Sequence, residues 1–173
     1  RRGDRSDRGR RRIWIRRPNA PTQRSEPVMK VIFLCTANSC RSQMAEAWAR
    51  HLFPTGWEVA SAGLMTYPIS DNTRRAMDEV GVSMDGQHSQ PLEDHDLNAF
   101  DLVVTLSEQS TRFLPRLTHP DRHLPRPLRD PMSARGTPAE IRAAFAAGRD
   151  RVREVVEEVR DLLSGNETPP MSS

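Results

Sequence analysis

The strongest guide to the fold is a short apolar run that stops abruptly at a polar loop. Residues 31–48 read VIFLCTANSCRSQMAEAW, and the apolar side chains give way to the loop after Cys35. A short apolar run bounded by turn signals is typical of a buried parallel strand. The apolar residues that follow the loop have the spacing of a helix instead. The stretch therefore predicts a β-strand over 30–34, a polar loop, and an α-helix over 42–52.

Strand-like and helix-like segments alternate along the rest of the chain. Further strands are predicted at 57–63, at 100–106 and around His123 and Leu124. Further helices are predicted at 72–80 with Asp71 or Asn72 as the cap, in a short segment ending near Pro115, and in a long amphipathic stretch that ends at Leu163. The long helix begins with a capping box, Thr137-Pro138-Ala139-Glu140. This alternation is typical of a three-layer α/β fold with a parallel sheet.

Arginine is distributed unevenly along the chain. Residues 1–28 hold ten Arg against three acidic residues, a net charge of +7, whereas the remaining 145 residues hold 16 basic and 20 acidic residues, a net charge of −4. The segment 1–28 is predicted to be disordered, either as a start-site artefact upstream of Met29, which we favour, or as an arm for nucleic acid or an anionic surface. We therefore expect one domain over 29–163, a frayed end at 164–173, and no nucleic-acid partner for the domain.

The apolar segments are all short. None approaches the roughly 18 consecutive apolar residues of a transmembrane helix, and the N-terminus lacks the apolar core and cleavage site of a secretory signal. Two cysteines in 173 residues do not make a disulfide framework. We expect a cytoplasmic protein with reduced thiols and no membrane partner.

The loop between the first strand and the first helix has the features of an anion site. Loop amides and the start of a helix present positive potential, which favours the thiolate form of Cys35. The guanidinium of Arg41 can make two hydrogen bonds to an oxyanion, and Ser42 offers a hydroxyl to the sulfur. Cys-x5-Arg-Ser thus predicts a cradle in which sulfur attacks a bound tetrahedral oxyanion. The loop of this cradle consists of Thr36, Ala37, Asn38, Ser39 and Cys40.

Cys40 is open to two interpretations. It is either a small apolar residue at the helix start or a resolving thiol that traps oxidised Cys35 as a reversible disulfide. A zinc site is not supported, because Cys-x4-Cys supplies only two of four ligands and no His or Cys pair lies nearby. The five His residues show no metal-ligand spacing, so we expect no metal cofactor from these residues.

The loop by itself lacks a proton donor for a leaving group. Asp130, in LRDPMSARGT, is the best candidate, because loops at the carboxyl ends of parallel strands converge on one edge of the sheet. Position alone nevertheless favours a simpler interpretation, in which Asp130-Pro131 caps a turn.

Several motifs together resemble a known family in order and spacing. LCTANSCRSQMAEAW, VASAG, FDLVVTL, DP and FAAGRD resemble the low-molecular-weight protein tyrosine phosphatase superfamily, and within it the thioredoxin-coupled arsenate reductases, over residues 29–163. The resemblance implies a four-stranded parallel sheet flanked by helices. It also implies four roles: Cys35 as nucleophile, Arg41 as oxyanion clamp, Ser42 as thiolate stabiliser and Asp130 as general acid.

The chain departs from the reductase branch where that branch carries relay cysteines. Those reductases have two further cysteines that pass a disulfide outward, and the matching positions here are Ser107 and about Leu114. The loop's usual glycine is Ala37. The resemblance therefore implies a cradle without an internal thiol relay.

A potassium site is a weaker implication of the same resemblance. Some of these reductases hold the ion with groups that match Asn38, Glu46 and Ser61 here. A fourth, acidic group is replaced by Gln90. The three matching residues are accordingly only weak potassium candidates.

Three functions fit the cradle. We favour an arsenate reductase-type enzyme in which Cys35 attacks arsenate, and Cys40 or an external donor such as glutathione, another small thiol, glutaredoxin or thioredoxin releases arsenite. The alternative is a protein tyrosine phosphatase that hydrolyses phosphomonoesters through a phosphocysteine. A non-catalytic oxyanion-binding protein is the third.

Substrate-wall residues favour the reductase. The segment after Asp130 has no aromatic residue to wall an aryl ring, which suits a small free oxyanion. Tyr67 and Trp57 are interpreted either as wall residues or as packing residues.

Overall fold

Strands and helices alternate along residues 28–165, the part of the chain that the computed structural model describes. The regular elements are β1 Lys30–Cys35, α1 Arg41–Leu52, β2 Glu58–Gly63, α2 Asp71–Asp78, β3 Leu102–Thr105, α3 Glu108–Arg112, β4 His123–Pro125 and α4 Pro138–Leu163. Short 3-10 turns occur at Leu92–Asp94, Leu97–Ala99, Pro120–Arg122 and Pro131–Ser133. The predicted disordered segment 1–28, apart from Val28, and most of the predicted frayed end lie outside the described residues.

The four strands form one parallel sheet in the order β2-β1-β3-β4. β1 pairs with β2 on one side and with β3 on the other, so the strand order reverses at β1. In open α/β sheets a crevice forms beyond the carboxyl ends of the strands at such a switch point. The residues that follow Cys35 are therefore placed where α/β proteins bind their ligands, and the predicted four-stranded parallel α/β fold is confirmed.

The central strand buries its side chains on both faces of the sheet. Val31, Phe33 and Cys35 belong to a core shared with α1 and α4, whereas Ile32 and Leu34 belong to a second core under the 3-10 turns. Successive strand residues point to opposite faces, which explains this division. Fully burying such an apolar side chain contributes about 1.5–3 kcal/mol. Cys35 is thereby held on the face against which α1 packs.

Two helix starts show how well capping was predicted. The Thr137 hydroxyl accepts a hydrogen bond from the backbone N–H of Glu140 over 3.1 Å, which is one half of the capping box predicted for α4; the described structure does not form the reciprocal bond from the Glu140 side chain. The predicted cap of α2 is wrong: Ser70 caps this helix, accepting from the N–H of Thr73 over 3.1 Å, and Asp71 is the first helical residue. A serine outside the apolar pattern was the better cap because its hydroxyl reaches the free N–H groups of the first turn.

No helix within residues 28–165 has the length and apolar character needed to cross a bilayer.

Candidate active site

The carboxyl end of β1 opens into a cavity of about 800 Å³. Cys35 lies in its wall, together with four of the five predicted loop residues, namely Thr36, Ala37, Ser39 and Cys40. The remaining walls come from segments 65–68, 108–109 and 127–132. Asn38 does not line the cavity and is fully buried behind it. The predicted loop therefore separates into residues that face the cavity and one that supports it.

The segment after β2 forms hydrogen bonds to the backbone carbonyl groups of the loop. The N–H groups of residues 64, 65, 67 and 70 donate to the carbonyl oxygens of residues 35, 36, 37 and 39 over 3.0 to 3.3 Å. Within residues 28–165, the N–H groups of residues 36–40 have no backbone or side-chain acceptor. Unpaired N–H groups at the start of a helix are suited to binding an oxyanion.

Cys35 is hydrogen-bonded to Ser42, and the direction of that bond follows from its surroundings. Cys35 Sγ lies 2.8 Å from Ser42 Oγ, and Asn38 Nδ2 donates to the same oxygen over 2.7 Å. Asn38 Oδ1 accepts from the backbone N–H of Gln90 over 2.8 Å, and this N–H can only donate, which fixes the amide orientation. Because Ser42 Oγ accepts from Asn38, its own proton is free to point at the sulfur. The Ser42 hydroxyl is therefore positioned to donate a hydrogen bond to the sulfur of Cys35.

The predicted potassium candidates form a hydrogen-bond chain among themselves. Asn38 Nδ2 donates to Ser61 Oγ over 3.0 Å, and Ser61 Oγ donates to Glu46 Oε2 over 2.8 Å. Arg50 Nη2 pairs with Glu46 Oε1 over 2.6 Å. The Gln90 side chain forms its hydrogen bond with His95 and not with these residues. The oxygen donors already have protein partners and Arg50 supplies a positive charge beside Glu46. These residues do not fit an additional potassium ion.

Asn38 adopts a backbone conformation that most residues avoid. Its φ is +49°, the one positive value at a non-glycine residue within 28–165. Asparagine tolerates this left-handed region better than most residues. Gly63 passes directly beneath: a Cβ there would lie 2.7 Å from Asn38 N and 2.9 Å from the carbonyl carbon of Ala37, and would overlap Met65 O. The sequence interpretation treated Gly63 only as a strand end and missed this close approach.

Gln43 is a further supporting residue that the sequence interpretation missed. It is fully buried on α1, and its Nε2 donates to Asn38 O over 3.1 Å and to Asn38 Oδ1 over 2.8 Å. Gln87 Nε2 in turn donates to Gln43 Oε1 over 2.9 Å. Gln43 lies away from the apolar face that Met44, Ala45 and Trp48 form on α1, so helical periodicity gave no signal for its burial.

Arg41 is held in place by the segments that follow β3 and β4. Its Nη1 donates to Leu128 O over 2.9 Å and to Leu106 O over 3.3 Å, and its side chain is 8% exposed. Its Nη2 lies 3.3 Å from Asp130 Oδ2. A guanidinium has five N–H donors, so Nε–H and one Nη2–H remain for a ligand. These two form the fork that matches two oxygens of a tetrahedral oxyanion.

Asp130 lines the cavity next to Arg41, although the sequence separates these residues widely. Asp130 Oδ1 also accepts from the N–H of Met132 over 3.0 Å, so the carboxylate caps the turn that follows. The turn-cap interpretation is therefore confirmed, and the same side chain lies in the cavity wall beside Arg41. The general-acid role that the resemblance implies for Asp130 stays a prediction.

Cys40 differs sharply from Cys35 in its surroundings. Both thiols are free and buried. Burial raises the pKa of the Cys40 thiol to about 12, a rise that a hydrogen bond with Thr73 only partly offsets. The thiolate is the reactive form of cysteine, so Cys40 is held almost entirely as the unreactive thiol near neutral pH.

Ser107 occupies the position that matches the first relay cysteine of the reductase branch. Ser107 caps α3 and forms a capping box with Ser110, and it is fully buried. Its Oγ accepts from Thr36 Oγ1 over 3.1 Å, which links it to the loop. Ser107 therefore has a structural role, because it supports the wall of the cavity. As a serine, it has no thiol that could take part in a relay.

The two aromatic candidates have different environments. Tyr67 lines the cavity with 60% of its surface exposed, whereas Trp57 packs edge-on against Phe53 with ring centroids 5.1 Å apart. Met65 and Met132 add exposed apolar surface to the same rim. Of the two alternatives, Tyr67 is a wall residue and Trp57 is a packing residue.

A parallel sheet with a Cys-x5-Arg-Ser loop at its switch point defines a class of cysteine-dependent oxyanion proteins. A family model described as low molecular weight phosphotyrosine protein phosphatase matches residues 30–166 of this chain. The chain belongs to this family.

The curated relatives are named arsenate reductase, and the similar solved structures are named arsenate reductase, tyrosine phosphatase or arginine phosphatase. The chain is 41% identical over 125 residues to an arsenate reductase of Bacillus subtilis (strain 168) and 36% identical over 122 residues to one of Halalkalibacterium halodurans, covering 70% of this chain and 88% of each relative. The solved structure of an arsenate reductase in the phosphate-binding state is 30% identical with a TM-score of 0.69, covering 79% of this chain and 99% of that one. A low molecular weight protein tyrosine phosphatase from T. tengcongensis shares the fold at 21% identity and a TM-score of 0.63, covering 76% and 97%.

Proposed function

We propose that this chain is an arsenate reductase-type enzyme that uses Cys35 as nucleophile and takes its second thiol from outside. The observation that carries the proposal is Cys35 Sγ at 2.8 Å from Ser42 Oγ, in a loop with unpaired N–H groups beside Arg41. The relatives named arsenate reductase support arsenate as the oxyanion. The compartment we propose is the cytoplasm, where Cys35 stays reduced.

The first step joins sulfur to arsenic. The Cys35 thiolate attacks arsenic(V) of arsenate bound by the loop amides and Arg41, and one arsenate oxygen leaves as water with a proton that Asp130 provides. In the second step a thiolate attacks Cys35 Sγ. The electron pair of the sulfur–arsenic bond passes to arsenic, which leaves as arsenite, and a disulfide joins Cys35 to the donor. Another molecule of the external thiol then reduces that disulfide and restores Cys35. Two external thiols are therefore oxidised for each arsenate that is reduced.

The second thiol is external on this proposal. Ser107 and Leu114 occupy the relay positions, and Cys40 is buried with its pKa raised to about 12. The cavity of about 800 Å³ is within the size range of small-molecule sites and has room for a small thiol above the oxyanion. Glutathione or another small thiol is the class of donor that we propose, with glutaredoxin or thioredoxin as alternative donors.

A phosphatase is the second candidate, and Tyr67 is the observation that favours it. An exposed aromatic side chain in the cavity wall can pack against the aryl ring of a phosphomonoester. Cys35 would then form a phosphocysteine that water hydrolyses, with Asp130 as acid and then as base. This reaction needs no second thiol.

Paired assays on the full chain separate these functions. One follows arsenite release from arsenate with glutathione, glutaredoxin or thioredoxin systems supplied separately, and the other follows aryl phosphate hydrolysis, each with Cys35→Ser as the inactive control. We expect arsenite release that survives Cys40→Ser. Loss of release in Cys40→Ser would instead make Cys40 the resolving thiol.

Two further results contradict the proposal. Efficient aryl phosphate turnover without arsenite under any thiol supply would make the chain a phosphatase. Stoichiometric binding of arsenate or phosphate without any turnover would make it a non-catalytic oxyanion-binding protein.

A further inference from the structure

The interior of α4 contains a glycine where the helix passes behind the Asp130 loop. In a helix interior glycine is less favourable than alanine, so Gly148 calls for a packing reason. A Cβ at position 148 would lie 2.5 Å from Pro131 Cγ but 3.6 Å from Pro131 Cβ and Cδ. Pro131 is buried. The missing side chain of Gly148 therefore allows the proline ring to rest on the helix.

Pro131 and Asp130 form one short structural unit. Asp130 Oδ1 accepts from the N–H of Met132 over 3.0 Å, and Ser133 Oγ donates to Asp130 O over 2.7 Å. These bonds close a turn around Pro131, so a displacement of the proline moves the Asp130 carboxylate as well. The opposite side of the unit faces Arg41 Nη2, 3.3 Å from Asp130 Oδ2.

We propose that Gly148 is a positioning residue for Asp130: by carrying no side chain, it allows Pro131 to seat on α4 and so sets the distance of the Asp130 carboxylate from the cradle. The inference deepens the proposed function, since it rests on Asp130 exchanging the proton with the leaving oxygen. A methyl group on Gly148 would push Pro131 away from α4. Misplacing a catalytic group by about 1 Å costs up to about 100-fold in rate.

The test uses Gly148→Ala in the full chain, measured in whichever turnover the unmodified chain shows, arsenite release or aryl phosphate hydrolysis. We expect kcat to fall about 10- to 100-fold, while inhibition by inorganic phosphate, which reports the Cys35 loop and Arg41, changes less than about twofold. Two backgrounds separate positioning from a general structural effect. Adding Pro131→Ala removes the Cγ that would collide, so the double variant is expected to recover the kcat of Pro131→Ala alone. In the Asp130→Asn background, Gly148→Ala is expected to cause no further loss.

Several results overturn this inference. They are a kcat of Gly148→Ala within about threefold of the unmodified chain, the same loss in the Asp130→Asn background, or no recovery with Pro131→Ala. A Gly148→Ala protein that does not fold also overturns it, because the helix rather than the loop would then have yielded.

The failure of the proposed function is distinguishable from the failure of this inference. If the unmodified chain shows neither turnover, the proposed function fails, and crystal structures of the variants decide the inference. The inference is supported if the distance from Arg41 Nη2 to Asp130 Oδ2 is well above 3.3 Å in Gly148→Ala and returns to that value when Pro131→Ala is added. An unchanged distance in Gly148→Ala excludes it.

Discussion

Ser42 Oγ lies 2.8 Å from Cys35 Sγ and accepts a hydrogen bond from Asn38 over 2.7 Å, which leaves its own proton free to point at the sulfur. The two residues belong to different elements, the end of β1 and the first turn of α1. Their contact depends on the tight loop between them. We therefore expect the reactivity of Cys35 to depend on the loop's side-chain hydrogen bonds as well as on the helix N-terminus.

Replacing Ser42 with alanine tests this relationship. A hydrogen bond to a charged group contributes about 1.5–3 kcal/mol, so Ser42→Ala is expected to slow alkylation of Cys35 by iodoacetamide at pH 7 about 10- to 100-fold. Turnover is expected to fall similarly. Ser83→Ala is the matched control, since the Ser83 hydroxyl accepts only in a surface turn, from the N–H of Asp85. Alkylation of Ser42→Ala at the unmodified rate would show that Ser42 does not stabilise the thiolate.

Asn38 combines a left-handed backbone with four side-chain hydrogen bonds, to Ser42, Ser61, Gln43 and Gln90, and two substitutions separate the backbone contribution from the side-chain contribution. Asn38→Gly keeps the backbone conformation and loses these four bonds, whereas Asn38→Ala also adds backbone strain. The strain is worth about 1–2 kcal/mol, so Asn38→Ala is expected to be less stable than Asn38→Gly by about that amount. Urea denaturation followed by circular dichroism measures the difference. Equal stability of the two variants would contradict the strain argument.

Cys40 is expected to resist thiol reagents in the folded protein. Its pKa of about 12 leaves little thiolate at pH 8, so iodoacetamide should label Cys35 and spare Cys40. Peptide mapping by mass spectrometry distinguishes the two sites. Unfolding in urea is the control, because both cysteines should then react. Labelling of Cys40 in the folded protein at a rate close to that of Cys35 would make it a competent resolving thiol.

His123 is expected to make stability fall as the pH falls below neutrality. Burial lowers the pKa of His123 in the folded protein below its usual 6.5. The unfolded chain therefore binds the proton first, and the stability present above pH 6.5 is lost as the pH drops towards the folded value. His123→Gln should show a smaller loss of unfolding free energy between pH 7 and pH 5. A pH dependence identical to that of the unmodified chain would exclude this role for His123.

Much of the architecture was predictable from local patterns. The apolar run before Cys35 and the helical spacing after Cys40 placed the first strand, loop and helix within one residue of Lys30–Cys35 and Arg41–Leu52. Hydrophobic periodicity is a local property, and it reports these elements directly. The cap of α2 was missed because Ser70 and Asp71 are both good capping residues, and only the folded backbone decides between them.

What the sequence by itself determined is the identity of the chemistry: a cysteine at a strand end, an arginine six residues later and a serine after it. The tertiary structure alone decided which distant groups act on that cysteine. It brought Asp130 to 3.3 Å from Arg41 and made the potassium candidates hydrogen-bond partners for one another and for Arg50. It also buried Cys40 so that the pKa of its thiol is raised to about 12. The physical reason is that spacing along the chain encodes contacts within a loop or helix turn. Contacts between Asp130 and Arg41, or between Gly148 and Pro131, exist only after the sheet and α4 have packed.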